Sequence, residues 1–225
     1  MATYVGPNWS IIDRNVIGNA DSVLRAGPNG PTPGVPTSTT GVPYGIGSLG
    51  IHTASGADHS SFGNQIDFEG VLVKDLTKIG FSVYTTKENN KLSTNNMPGI
   101  KIEIDPNLQR SASGYSTLVY VPDNGVAGSW THFDATGDPG AHWGLTGSAF
   151  PATETCSLYG TLCTWKDILT ALEADNPDDA EPAKVSYSVA ISKGRDHAFS
   201  GAVDGLEIND KVYDFEPFGV HTSTN

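Results

Sequence analysis

Ile100-Lys101-Ile102-Glu103-Ile104-Asp105 is the clearest strand in the chain: three isoleucines alternate with three charged residues. A period of two puts the isoleucines on one face and the charges on the other, as in a strand lying on a core with its outer side toward water. The same signal recurs on either side of it. Ile79, Phe81 and Val83 alternate with Gly80, Ser82 and Tyr84. Gly45 to Thr53 and Phe62 to Phe68 read as earlier strands, and Trp9 to Asp13 as a strand-like piece near the start. On the other side, Leu118 to Val121 is apolar on both faces and reads as central. Ser129 to Ala135 and His142 to Leu145 carry weaker signals. Val185, Tyr187, Val189 and Ile191 alternate with Ser186, Ser188 and Ala190. Leu206 to Ile208 and Val212 to Phe215 form a closing hairpin around Asn209-Asp210-Lys211. About ten short strands in this arrangement predict one all-β antiparallel sandwich spanning residues 1–225.

One helix stands apart from this pattern, near residues 164–175. Thr164 reads as its N-cap, with Asp167 three residues on as a capping-box variant. Trp165, Ile168, Leu169 and Leu172 share one face and predict a core stripe. Asn176-Pro177 ends the helix. Residues 27–44 are crowded with Gly, Pro, Thr and Ser, which excludes a helix or a central strand and predicts a long loop. Asp175-Asn176-Pro177-Asp178-Asp179-Ala180-Glu181-Pro182 reads as a solvated acidic connector rather than a cation site.

Cys156 and Cys163 enclose Ser-Leu-Tyr-Gly-Thr-Leu and read as a small disulfide-closed loop just before the helix. That implies an oxidising compartment, hence a secreted, extracellular protein. Their spacing is wider than a Cys-x-x-Cys redox pair, and no further cysteine completes a zinc set. Met1-Ala2-Thr3-Tyr4 lacks the basic start and apolar stretch of a signal peptide, so the secreted reading takes Met1 as added to a mature chain. The net charge of −12, from 25 acidic and 13 basic residues, would repel a phosphate backbone and sets nucleic acid aside as a partner. No run approaches the roughly 18 apolar residues of a membrane span.

Phe199-Ser200-Gly201-Ala202-Val203-Asp204-Gly205-Leu206-Glu207-Ile208-Asn209-Asp210 resembles the last-strand signature of jelly-roll carbohydrate-binding modules and of related concanavalin-like or galactose-binding-like sandwiches. Gly47 to Ile51 and Asp75 to Val83 are similar to earlier core strands of those folds. Val212 to Val220 resembles the ending of secreted bacterial proteins, many of them actinobacterial. The resemblance implies a jelly-roll and a carbohydrate or cell-surface glycan partner. It also implies a structural calcium held by the final-strand Asp204, with Asp21 as a second oxygen ligand.

Sugar recognition needs flat aromatic faces flanked by polar side chains. Trp130 with His132, and His142 with Trp143, supply both, and a hairpin through Ala135 to Gly140 would bring the two tryptophans together. Tyr84, Arg110 and Tyr115 are further candidates. An enzyme acting on polysaccharide is the rival reading. Glu103, Asp105 and Glu207 offer carboxylates for a glycosidase, and His132, Tyr120 and Arg110 a lyase set. Glu103 and Asp105 on one strand face also follow from ordinary binary patterning. No Gly-x-Ser-x-Gly, His-Glu-x-x-His or phosphate loop is present. Lys193-Gly194-Arg195-Asp196-His197 is the densest polar cluster, expected to pin a turn through Arg195 and Asp196. The sequence therefore favours non-catalytic glycan binding, with polysaccharide cleavage or an adhesive assembly joined through sheet edges as alternatives.

Overall fold

The computed structural model describes residues 8–28, 41–86, 96–108, 114–174 and 181–224. Its strands are β1 (Trp9–Ile11), β2 (Ala20–Ala26), β3 (Gly47–Thr53), β4 (Ser60–Asn64), β5 (Ile79–Thr85) and β6 (Gly99–Asp105). These are followed by β7 (Ser116–Tyr120), β8 (Trp130–Asp134), β9 (Trp143–Leu145), α1 (Trp165–Ala174), β10 (Lys184–Lys193), β11 (Phe199–Ile208), β12 (Lys211–Glu216) and β13 (Gly219–Thr224). The alternating segments form two antiparallel sheets packed as a sandwich, with α1 as the one α-helix among the described residues. One sheet runs β1-β4-β10-β6-β7-β9. The other runs β13-β12-β11-β3-β2, with β5 and then β8 added on the far edge of β11.

The longest strands, β10 and β11, lie inside the two sheets. β10 pairs β4 on one edge and β6 on the other. β11 has β5 along one edge, while β3 and β12 share the opposite edge end to end. This fork is built at Asp204-Gly205. The register against β5 jumps from Asp204↔Ser82 to Glu207↔Gly80, a bulge of one extra residue. Gly205 there has φ +61°, and a Cβ on it would lie 2.4 Å from the Tyr44 ring. The buried Asp204 carboxylate fills the notch: Oδ1 accepts from Phe215 N on β12, and Oδ2 from Tyr44 N beside β3, both at 3.1 Å.

Ile100, Ile102 and Ile104 are fully buried between the sheets, as their alternation predicts. Buried side chains from both sheets and α1 make one continuous cluster. Trp9 on β1 meets Tyr213 on β12 at 5.0 Å between ring centres and Phe215 at 5.7 Å, clipping one sheet to the other. A second aromatic chain runs from Phe81 through Tyr120 and Trp143 to Trp165, which anchors α1. The helix starts as its sequence predicts: Thr164 Oγ1 accepts from Asp167 N, and Asp167 Oδ2 accepts from Thr164 N and Oγ1.

Three readings need correction. β2 and β13 carry no clean apolar alternation and are absent from the sequence-based strand set; each is a partly exposed edge of its sheet. Tyr187 alternates with the core residues of β10, yet it is half exposed. A register shift between Val185 and Ser188 turns it outward onto Tyr115, at 5.7 Å. The apolar segment at Leu118 to Val121 forms β7, one strand in from the sheet edge rather than at its centre. Most of the 27–44 loop and of the 175–182 connector lies outside the described residues.

Candidate functional site: a groove across the six-stranded sheet

The paired tryptophans do not form a binding platform. Trp130 is 0 % exposed and Trp143 1 %. Each indole N–H donates to a main-chain carbonyl, Trp130 to Pro28 at 3.1 Å and Trp143 to Ala135 at 2.7 Å. The connection between β8 and β9 crosses from one sheet to the other instead of closing a hairpin, so the two rings belong to different sheets. Both are large apolar faces best satisfied in the core once their N–H groups find an acceptor. His132 projects from β8 with Ser82 Oγ 3.4 Å from Nδ1 and Glu207 Oε2 3.9 Å from Nε2. These separations exceed those of a hydrogen-bonded nucleophile and base. His142 lies beside Asp138 at 3.7 Å and Asp123 at 3.9 Å.

The calcium pair also comes apart. Both Asp204 oxygens are taken by main-chain N–H groups, and burial pushes its carboxyl up to about 7, against the pull of those donors. Asp21 stands opposite His52 on β2, whereas the β2 residue level with Asp204 is Arg25. Four residues of strand separate the two levels, about 13 Å. Among the described residues no group of three or more His, Cys, Asp or Glu could hold a metal ion. The residues present do not fit the calcium site that the resemblance implies.

The glycosidase carboxylates are likewise divided. Glu207 lies on β11 and pairs with Lys78 at 3.3 Å, while Glu103 and Asp105 lie on β6 in the opposite sheet. Asp105 Oδ1 accepts from Asn107 N. In the lyase set, Tyr120 is buried and donates to Asp138 at 2.8 Å, His132 is in the other sheet, and Arg110 lies outside the described residues.

A different site emerges from the outer face of the six-stranded sheet. Lys101, from the charged half of the Ile100–Asp105 alternation, lines a cavity of about 680 Å³ there. Its floor is Lys101 on β6, Thr117 and Val119 on β7 and Ser192 on β10. One wall rises from the 3-10 turn Asp13–Asn15, which follows the edge strand β1, and from His59 just before β4. The other rises beyond β9, from Leu158 and Tyr159 in the disulfide loop. The Cys156–Cys163 bond closes that loop. Cys163 bridges Trp143, and Ser157 bridges Leu145, which ties both ends of the loop to β9. Tyr159 is thereby held at the rim, 75 % exposed.

At the Tyr115 end, Glu103 is only 2 % exposed and is fully engaged. It pairs with Arg14 and accepts from Tyr115 at 2.9 Å and from Ser188. Burial alone would raise its carboxyl, but Ser188, Tyr115 and the Lys101 and Arg14 charges together hold it below the usual range. At the other end, the fully buried Lys193 pairs with Asp196, whose Oδ1 also accepts from His197 N. Lys193, not Arg195, therefore pins this turn, and Arg195 is left at the cavity edge. His59 Nδ1 bonds the Asn15 carbonyl and Nε2 faces Ser192 Oγ at 3.0 Å. Burial, followed by the charges of Lys101, Arg195 and Lys193, keeps its imidazole below its ordinary value, against the opposing Asn15 contact.

Tyr115 and Arg195 of this groove stand among the sequence candidates; Arg14, His59, Lys101 and Tyr159 do not. The available signal was the charged half of the β6 alternation, together with an exposed-type aromatic inside a pinned loop. Neither shows which loops rise over the strand. No helix among the described residues is long and apolar enough to cross a membrane. No family model matches the chain, and no curated protein or solved structure matches it either.

Proposed function

We propose that this protein binds a polysaccharide chain, without cleaving it, in the groove across the six-stranded sheet. The observation that carries the reading is the groove itself. It is a walled trough of about 680 Å³ whose floor carries Lys101, Thr117 and Ser192 beside Val119 and whose rim presents the Tyr159 ring. Hydroxyl-lined floors with exposed aromatic faces suit sugars, whose rings are apolar on their flat sides and polar around the edge. The likeness of Phe199–Asp210 to the last strand of carbohydrate-binding sandwiches supports the same reading. The disulfide supports work in an oxidising, extracellular setting. Glu103 is spent on Arg14, Tyr115 and Ser188, and Asp196, the carboxylate that lines the groove, on Lys193, which supports binding over glycosidic chemistry.

Affinity electrophoresis and calorimetry against a panel of soluble polysaccharides test this. We expect retardation by at least one class with no new reducing ends. Tyr159→Ala should weaken that binding roughly tenfold, about 1.4 kcal/mol, with an unchanged melting temperature. Binding by no polysaccharide would sink the reading, and release of reducing ends would replace it with an enzymatic one.

A further inference from the structure

The groove is lined by more cations than carboxylates. Two of its charged groups are paired with neighbours beside it: Arg14 with Glu103, and Asp196 with Lys193. Two cations remain, Lys101 in the floor and Arg195 at the edge. Neither side chain has a hydrogen bond or ion pair among the described residues. Both line the same cavity as His59 and Ser192. Lys101 is half buried; burial disfavours its charge, and the attraction of Glu103 offsets that only in part. A desolvated ammonium without a direct ion pair is costly unless an anion completes it. The whole chain meanwhile has a net charge of −12. A local excess of two positive charges is thus set against a strongly negative background, and the groove wall and floor shield it from bulk water.

Resting on the polysaccharide reading above, we propose that the ligand is an acidic polysaccharide whose sugar carboxylate docks between Lys101 and Arg195, beside His59 and Ser192. The hydroxyl groups of Thr117 and Ser192 then face the ring edge, and Tyr159 faces a neighbouring unit. The net negative charge of the chain opposes non-specific binding of a polyanion, so the charge pattern also supplies selectivity.

The test uses the full chain against polygalacturonate, alginate and hyaluronan, and against the neutral probes xylan, β-mannan and fully methyl-esterified polygalacturonate. The last shares its backbone with an acidic probe and differs in charge. We expect binding confined to acidic members, with at least tenfold weaker binding of any neutral counterpart and a loss of affinity as salt rises. Lys101→Met, which keeps the buried stem, and Arg195→Gln at the exposed edge should each weaken acidic binding about tenfold without lowering the melting temperature. Neutral members bound as well as acidic ones would overturn this proposal while leaving glycan binding intact. Acidic binding that survives both substitutions would move the carboxylate elsewhere and overturn it too. Binding by no probe at all would remove both readings together.

Discussion

Asp204 shows how one side chain can serve a backbone rather than a ligand. Its two oxygens satisfy the main-chain donors exposed where β3 and β12 part on the same edge of β11. With its carboxyl pushed up to about 7 from an ordinary 3.8, the folded protein holds a proton there that the unfolded chain releases. The associated stability is fully present below about pH 4 and is lost as pH rises to about 7, up to about 4 kcal/mol in all. Asp204→Asn places an amide against two N–H donors. We expect it to cost about 1–3 kcal/mol at pH 4 and to flatten the decline between pH 4 and 7. Urea midpoints across that range check both; an unchanged slope would show that Asp204 does not carry it. The resemblance of Phe199–Asp210 to carbohydrate-binding sandwiches marked Asp204 as special, as a calcium ligand. It could not reveal that the partners are the N–H groups of Tyr44 and Phe215, because that depends on a fork formed by segments far apart in the chain.

At the level of elements, those with a local cause were legible. The β6 alternation, the Thr164–Asp167 cap and the β11–β12 hairpin all depend on neighbours within a few residues, and each is found where its residues place it. Tyr187 and the tryptophans were misread because a bulge and a sheet crossing override local periodicity. The disulfide loop lies between these cases: its closure was readable, its duty at the groove rim was not. Closing this short loop should contribute about 2–3 kcal/mol. Reduction, or Cys156→Ser with Cys163→Ser, should lower the melting temperature accordingly and also weaken glycan binding by freeing Tyr159. A loss of stability with full retention of affinity would separate the loop from the site.

Across the whole molecule, the sheets are joined by side chains rather than by shared strands at the Trp9 end. Trp9 reaches from the three-residue β1 to Tyr213 and Phe215 in the opposite sheet. Trp9→Ala should therefore cost about 3–5 kcal/mol, read as a lower urea midpoint with an unchanged m-value. A smaller m-value would mean that one edge had come loose instead. The position of β10 and β11 has a consequence for synthesis. Each is an inner strand of its sheet, yet both follow every other strand except β12 and β13 in chain order. The Phe199 N–H bond to Thr53 spans 146 residues. A growing chain can make β6–β7 and β2–β3 as hairpins, but neither sheet can close until β10 and β11 have left the ribosome. Closure of the sandwich is thus postponed until its late strands have emerged, and the half-made sandwich stays pliable until they arrive.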